Sequence, residues 1–433
     1  MLCKYRDVAR MLLPLLSVSS SSTVLVAIAL IIIIGYLSAA IFRRTRVPEL
    51  LILMLIGIFL VQVVHAIPSN YLDVLRSLAP VFGSLALIVI MLNASKALKF
   101  DNSAIRSLKG FVMGILDNVL AAAGLSLLMY YLFGWPFIYG AILGVILGET
   151  SSIVVIPFIR KVELDQGIFG ILFAETTVNS ILAIAVFSLL VLMAGDKVVS
   201  AFSFTTYVLD YLSFAIVMGI IAGIVWLFIS NFVESANEYL ATLAIAILLY
   251  GVVSIFNGAA IISILIFGMI MGNEKSFAGI LGHAGNEGKT SSDKELEKSK
   301  ASKAESNKAN EKAVEKELEF LISTFFFVFM GMITELSLEY LLYGLLISFI
   351  LIIVRYVQVY GILRNNPAEE RKLAFALMPR GVTVATLATI LYGMGGIYFM
   401  QIFYISFMVI VVTSVMSSLM LNKVSVKVRK SIA

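Results

Sequence analysis

The chain has 433 residues, of which 60% are hydrophobic and 14% charged, and its mean hydropathy is +1.01. These proportions exclude a soluble globular domain and indicate a polytopic membrane protein. One cysteine and two histidines are too few for an internal disulfide framework or a zinc cluster. The formal net charge of +5 comes from basic residues in short loops between apolar segments, which indicates membrane orientation rather than nucleic-acid binding.

Residues 1–22 combine basic residues, a short apolar patch and a serine run, and we interpret them as a leader. Thirteen apolar segments of about 20 residues follow, each long enough to cross a hydrocarbon core of about 30 Å. The predicted spans are 24–42, 47–67, 78–96, 110–133, 137–159, 167–193, 207–229, 239–256, 258–272, 318–334, 340–363, 373–393 and 399–421. The sequence therefore predicts an all-α polytopic membrane protein with about 13 transmembrane helices.

Loops on alternate sides of the predicted spans differ in their content of Lys and Arg. One set contains clusters such as Arg43, Arg44 and Arg46, whereas the other set has Arg76 and Lys197 as its main basic residues. Because Lys and Arg are retained on the cytoplasmic side, we expect the amino terminus outside and the carboxyl terminus in the cytoplasm. This places the protein in the cell membrane as a multi-pass protein.

The long polar stretch at residues 273–317 is rich in Lys, Glu, Ser, Ala and Asn. Between Asn286 and Glu317 it contains eight Lys and eight Asp or Glu residues, a composition that cannot bury a hydrophobic core. We interpret it as a solvated cytoplasmic linker, and a regulatory role remains the alternative.

Four of the ionisable residues in or beside the predicted spans are candidates for function: Asp117, Glu149, Glu175 and Arg380. An ionisable side chain near the middle of a spanning helix costs roughly 2.5–3.5 kcal/mol on insertion scales, so such residues face a partner, a cavity or a transport path. A guanidinium group needs a permanent anionic partner, and we predict that Arg380 pairs with Glu175 as a structural ion pair.

Glu149 has no such predicted partner, and we expect it to exchange protons for a small cation. The oxygen atoms expected to help bind a dehydrated alkali cation belong to Thr150, Ser151, Glu175, Thr176, Asn179 and Ser180. Alternatives remain open at three positions. The ion pair could be purely structural, Glu149 could face a water-filled funnel, and Asp117 could join helices or act as a proton relay.

Two segments of the chain predict broken helices at corresponding places. Gly148 and the polar residues after Glu149 interrupt one apolar run, and Pro379 and Gly381 interrupt another. Each break lies about forty residues after the start of a group of three spans. This spacing is typical of an inverted repeat, in which two discontinuous helices cross near the membrane midplane.

Four sequence features together resemble the monovalent cation:proton antiporter superfamily, on the side of the electroneutral sodium/proton exchangers. They are Arg46-Val-Pro48, Glu175 followed four residues later by Asn179, Arg355 in an apolar run, and Pro379-Arg-Gly-Val382. The resemblance implies an inverted-repeat core with two crossed broken helices, a separate dimerisation domain, a homodimer and alternating access. It assigns family roles to Thr150, Glu175, Thr176, Asn179 and Arg380.

The sequence departs from the family at two positions. Where family members usually have Thr-Asp in the fifth helix, this chain has Thr150-Ser151, and where they have Asn-Asp in the sixth, it has Asn179-Ser180. The second aspartate is normally the ion and proton carrier. We predict that Glu149, which has no usual family counterpart, replaces it.

The resemblance also suggests how the chain divides. We predict a leader (1–22), scaffold helices (23–109, 207–272 and 318–334), core helices (110–193 and 340–421), a charged loop (273–317) and a cytoplasmic tail (422–433). The predicted function is secondary active exchange of Na⁺, K⁺ or Li⁺ for protons, and the alternative is a degenerate antiporter-fold uniporter, carrier of another solute or sensor.

An intramembrane enzyme is disfavoured because the spans contain no Gly-x-Gly-Asp pair and no suitably placed Ser and His. We predict no cofactor and no metal other than the transported cation, and the bilayer is the expected surrounding.

Overall fold

The computed structural model describes residues 29–38, 40, 49–63, 69–96, 107–151, 155, 159, 166–195, 201–230, 233, 238–274 and 314–423. The predicted leader, residues 275–313 of the charged loop and residues 424–433 lie outside this part of the chain. The regular structure of the described residues is helical throughout, which confirms the predicted fold class. Its helices are α1 (Ala29–Ser38), α2 (Glu49–Ile58, continued by the π-helix Phe59–Val63), α3 (Ser69–Lys96), α4 (Leu108–Phe133), α5 (Phe137–Gly148), α6 (Gln166–Ala194), α7 (Ala201–Ile229), α8 (Glu238–Ile255), α9 (Ala260–Gly272), α10 (314–333), α11 (Leu338–Ile362), α12 (Ala368–Ala376), α13 (Val382–Met394) and α14 (Ile397–Lys423).

Each of the thirteen predicted spans overlaps at least one of these helices. Six helices, α4, α6, α7, α8, α11 and α14, are long and apolar enough to cross a membrane by themselves. The predicted span 373–393 is not one continuous helix, because it is divided into the end of α12, an extended segment at 377–381 and α13. The short helix α5, of 12 residues, ends at the first break, and the short helices α12 and α13, of 9 and 13 residues, lie on either side of the second.

Glycines bring α4, α5 and α6 unusually close together. A Cβ atom on Gly144 of α5 would lie 2.5 Å from the Ala121 carbonyl oxygen of α4, and one on Gly140 would lie 2.7 Å from the Ser126 Cα atom. On the other side of α4, a Cβ atom on Gly114 would lie 2.8 Å from the Glu175 carbonyl oxygen of α6. Small residues allow such close backbone packing inside a membrane. Polar residues on these three helices are consequently held within hydrogen-bonding distance of one another.

The second group of helices packs in a similar way around the other break. α11 and α13 both contact α14, and α12 contacts α11 and α14. α13 also contacts α3 and α5, so it joins this group to the rest of the bundle.

The two broken helices meet at their breaks. After Gly148 the backbone becomes extended at Glu149, with φ −68° and ψ 127°. The Ser151 amide then donates a hydrogen bond of 3.0 Å to the carbonyl oxygen of Pro379, in the extended segment between α12 and α13. The contact is tight, since a Cβ atom on Gly381 would lie 2.0 Å from the Ser151 hydroxyl oxygen. The breaks predicted from sequence are therefore confirmed, and they touch each other.

Candidate functional site

All the charged residues that are fully buried in the described part of the chain belong to one cluster. They are Asp117 of α4, Glu149 after α5, Glu175 of α6, Arg355 of α11 and Arg380 between α12 and α13, each at most 1% exposed. The cluster lies where the two breaks meet. Because an isolated buried charge is costly, each group must be stabilised by neighbours or by a bound ion.

Arg355 is the central cation of the cluster. Its Nη1 donates to Glu175 Oε1 and, at 3.4 Å, to Asp117 Oδ2, and its Nη2 lies 3.4 Å from Glu175 Oε2. The same guanidinium group donates to the Ala374 carbonyl oxygen at 2.7 Å and to the Leu377 carbonyl oxygen at 3.3 Å. Arg355 thus contacts both carboxylate oxygens of Glu175 and also donates to backbone carbonyl groups where α12 ends.

The predicted ion pair between Glu175 and Arg380 is wrong. Arg380 Nη1 instead donates to the Gly148 carbonyl oxygen and to Thr150 Oγ1, both at 3.0 Å. Among the described residues, no carboxylate lies within ion-pair distance of Arg380. Gly148 is the last residue of α5, and a helix ends with carbonyl groups that have no partner and carry partial negative charge. Because Arg380 binds at the end of α5, it does not pair with Glu175.

Asp117 lies inside the cluster rather than at a separate helix interface. Its Oδ2 accepts hydrogen bonds from Thr150 Oγ1 and Asn179 Nδ2, both at 3.3 Å, in addition to the Arg355 contact. Its Oδ1 is buried and has no hydrogen-bond partner. Asp117 therefore connects the first break, α6 and α11 through one carboxylate oxygen, and its second oxygen has no hydrogen-bond partner.

Asn118, next to Asp117, was not among the predicted site residues. Its Nδ2 donates to Asn179 Oδ1 at 2.5 Å and to the Asn179 carbonyl oxygen at 3.1 Å. Asn179 in turn donates through Nδ2 to Asp117 and, at 3.1 Å, to the Gly148 carbonyl oxygen. The signal that could have identified Asn118 is its position beside Asp117, an ionisable residue inside a predicted span.

Glu149 is held by Ser180 of α6. Ser180 Oγ donates to Glu149 Oε1 at 2.7 Å, and Glu149 Oε2 is buried without a hydrogen-bond partner. Ser151 Oγ is likewise buried and has no partner. Glu149 is therefore a carboxylate with one oxygen fixed and one oxygen open.

Six of the seven predicted ion-binding residues converge on this cluster, and one hydroxyl group does not. The converging residues are Glu149, Thr150, Ser151, Glu175, Asn179 and Ser180. Thr176 Oγ1 donates to the carbonyl oxygens of Leu172 and Phe173, one turn back in α6, at 3.1 and 3.2 Å. This hydroxyl group is thus used within its own helix.

A helical bundle whose two discontinuous helices meet at a buried charged cluster has the architecture of a secondary membrane transporter. A sequence profile described as sodium/hydrogen exchanger, transmembrane, matches residues 26–287 and 290–427 of the chain. The chain therefore belongs to the sodium/hydrogen exchanger family, and the resemblance inferred from the sequence is confirmed at that level.

Relatives and solved structures agree with this assignment. Sodium/hydrogen exchanger 9B2 from Homo sapiens is 28% identical over 198 residues, which cover 44% of this chain and 35% of that protein. The protein of the same description from Bison bison bison is 30% identical over 170 residues, 38% of this chain and 31% of its own length. The matched segments thus span about a third of these relatives. The structure of the sodium proton antiporter MjNhaP1 from Methanocaldococcus jannaschii at pH 8 superimposes with a TM-score of 0.70 at 19% identity, covering 92% of this chain and 98% of that one. That likeness concerns the fold.

Proposed function

We propose that the protein exchanges a monovalent cation for protons across the membrane, and that Glu149 is the group that carries them. Family membership and the antiporter-like fold support cation:proton exchange in general. The observation that carries the proposal is the formal charge of the buried cluster. Three carboxylates face two guanidinium groups, so the cluster has a formal charge of −1 when every group is ionised.

A buried cluster with one excess negative charge is stabilised by binding one positive charge. A proton or an alkali cation supplies the same charge, and the two compete for the same place. One proton therefore replaces one cation, which makes the exchange one-for-one and electroneutral. The proposed ion is Na⁺, K⁺ or Li⁺, because one excess negative charge is balanced by one monovalent cation, and carboxylate and hydroxyl oxygens are suitable ligands for it.

The contacts favour Glu149 over the other two carboxylates as the carrier. Glu175 is bound by both nitrogens at the end of the Arg355 side chain, and Asp117 shares the same guanidinium group. Glu149 is bonded to a neutral hydroxyl group, and the charged side chains that face it are Arg380 and Asp117. Its charge is the one least compensated within the cluster, so it gains most from a proton or cation.

Ser180 gives this carrier a defined position. The resemblance places the usual second aspartate at residue 180, and here the serine donates to Glu149 instead. The carboxylate that the family has on its sixth helix is thus replaced by one from the break of the fifth. In our proposal the antiport mechanism is retained, because the carrier carboxylate is supplied by Glu149 instead of by residue 180.

The remaining parts of the proposal concern movement and assembly. We propose that α4–α6 and α11–α14 form the moving core, that the other helices form the scaffold, and that two scaffolds form a homodimer. The packing of α4 with α5 and α6, and of α14 with α11 and α13, supports two compact groups within such a core. Alternating access then carries the cluster from one side of the membrane to the other.

Proteoliposomes that contain only this protein test the proposed function. A pH-sensitive dye inside the vesicles reports proton flux when NaCl, KCl or LiCl is added outside. Glu149→Gln has the shape of the protonated acid and should abolish cation-driven flux, whereas Ser180→Asp in the Glu149→Gln background should restore part of it. Glu369→Gln is the matched control, because it makes the same change at an exposed carboxylate of α12.

Each outcome decides between the candidates. Persistent flux in Glu149→Gln removes this residue from the mechanism. A wild-type protein that gives no flux with any of the three cations, although correctly inserted, favours the alternative without proton coupling. Flux that changes when a membrane potential is imposed contradicts one-for-one exchange.

A further inference from the structure

We propose that Thr383, in the first turn of α13, is a ligand of the transported cation, so that the ion is held between the two breaks by Glu149, Ser151 and Thr383. This inference rests on the proposed exchange function. It adds a ligand from the second broken helix to those at the first. A bound cation then joins the two breaks, whereas a proton on Glu149 does not.

Two buried oxygen atoms at the first break have unused capacity to bind a cation. Glu149 Oε2 and Ser151 Oγ make no hydrogen bond, and these residues are 0% and 2% exposed. Buried polar atoms without partners are costly, so each such atom needs an explanation. Carboxylate and hydroxyl oxygens are also the ligands that hard cations prefer. The two unpartnered atoms therefore mark one side of a cation site.

The second break lies directly against these oxygen atoms. A Cβ atom on Gly381 would lie 2.0 Å from Ser151 Oγ, and α13 begins at the residue after Gly381. The first N–H groups of a helix carry partial positive charge, which repels a cation. A cation bound at the first break therefore needs an oxygen atom on the side of α13. Thr383 is the residue in the first turn of α13 whose side chain has one.

The three threonines of α13 use their hydroxyl groups differently. Thr386 and Thr389 donate to the carbonyl oxygens of Thr383 and Ala385, at 2.9 and 2.7 Å, as threonines in a helix commonly do.

For Thr383, the carbonyl groups three and four residues back belong to the extended segment 377–381. One of them, the Pro379 carbonyl, accepts from the Ser151 amide. The Thr383 hydroxyl group faces the Glu149 carboxylate instead, and the residue is 6% exposed. The start of α13 thus places a buried hydroxyl group opposite the open side of Glu149.

A hydroxyl group in this position serves both states of the carrier. Its O–H group points toward the carboxylate when the site is empty, and after rotation its oxygen lone pairs face a bound cation. A proton on Glu149 needs no further ligand, whereas the affinity for a cation depends on the number of ligands. Loss of the Thr383 hydroxyl group should therefore weaken cation binding, and a saturating cation concentration should restore the rate.

The first test measures the KM for the cation in proteoliposomes that contain the full-length protein. The cation is the one among Na⁺, K⁺ and Li⁺ that drives proton flux in the wild type. Thr383→Val has the same shape without the hydroxyl group, and its KM should rise about tenfold, with the maximal rate retained. Thr383→Ser retains the hydroxyl group and should keep a KM near that of the wild type. Thr389→Val is the matched control, because it makes the same change where the hydroxyl group is bonded within α13.

The second test measures cation binding without transport. A cation that binds the folded protein raises its unfolding temperature in detergent micelles, and Thr383→Val should need about tenfold more of the chloride salt than the wild type for the same rise. Choline chloride at equal ionic strength corrects for general salt effects. Thr383→Ala also lacks the hydroxyl group, so it should show the same shift and replaces Thr383→Val if that variant does not fold.

Three outcomes would overturn the inference. Wild-type KM and wild-type binding in a folded Thr383→Val variant would show that Thr383 is not a ligand. An equal rise of KM in Thr389→Val, or a Thr383→Ser variant as weak as Thr383→Val, would assign the effect to helix packing. A lower maximal rate at unchanged KM would indicate a structural role. A wild-type protein without cation-driven flux would instead refute the proposed function, so the two failures are distinguishable.

Discussion

Replacing Arg355 with Gln should strongly destabilise the protein. The variant leaves Glu175 buried beside Asp117 with no cation in contact, and the formal charge of the cluster falls from −1 to −2. Breaking a buried ion pair by removing one partner costs about 3–5 kcal/mol. The carbonyl groups of Ala374 and Leu377 also lose donors, at about 1–3 kcal/mol for each group left unsatisfied. We therefore expect a loss of at least about 3 kcal/mol in the free energy of unfolding.

The double variant Glu175→Gln, Arg355→Gln separates the ion pair from the backbone contacts. In the double variant the uncompensated charge of Glu175 is gone, although the carbonyl groups of Ala374 and Leu377 still lack their donors. It should therefore be more stable than Arg355→Gln alone. Unfolding in detergent micelles, followed by circular dichroism during denaturant titration, gives the free energies. Lys372→Gln is the control, because it removes an exposed cation from the nearby helix α12 and should change stability little.

The result that would refute this reasoning is specific. If Arg355→Gln loses less than about 1 kcal/mol, or if the double variant is no more stable than the single variant, the buried pair is not the stabilising contact. Rescue of an Arg380→Gln variant by Glu175→Gln would contradict the pairing seen in the structure.

Two further outcomes are expected from other parts of the chain. Gly381→Ala should reduce cation-driven proton flux strongly, because its Cβ atom would lie 2.0 Å from Ser151 Oγ and push the two breaks apart, whereas Gly251→Ala, with no atom within 4 Å of the added carbon, should leave flux unchanged. Normal flux in Gly381→Ala would show that the contact between the breaks is not needed. Deletion of Gly285 to Ala309 should leave flux intact, since this sign-mixed segment cannot form a core, and loss of flux in a correctly inserted deletion would support the regulatory alternative.

The spans and both breaks could be predicted because they depend on local properties of the sequence. An apolar run of about 20 residues is long enough to cross the membrane. Glycine and proline weaken a helix at any position in its interior, as they do at Gly148, Pro379 and Gly381. The break within the span 373–393 was predicted at Pro379 and Gly381, but its extent was not, because residues 373–376 are apolar enough to continue the run. Hydropathy measures length in this case and does not detect a five-residue extended segment at 377–381.

The partner of Glu175 could not be predicted in the same way. The sequence offers two arginines as partners, Arg380 beside the second break and Arg355 in the apolar run of α11. Periodicity could have identified it, because Arg355 and Gln358 are three residues apart and both are buried on the same face of α11. Periodicity gives the face of a helix but not its neighbour, and the choice between two arginines depends on how α11 and α6 pack against α4.

Within the described residues, all the fully buried charged side chains lie in one cluster. This arrangement affects how easily the cation leaks through the protein without exchange. In the proposed exchange, the cluster is neutral when it carries a proton or a cation and negative when it is empty. Moving an uncompensated ion through a low-dielectric region costs several kcal/mol more than moving a neutral site. The empty carrier is therefore retained on the side where it released its ion until another ion binds, and downhill leak is suppressed without a separate gate. Efflux of labelled cation into alkaline buffer that lacks alkali cations should consequently be much slower than exchange of labelled for unlabelled cation.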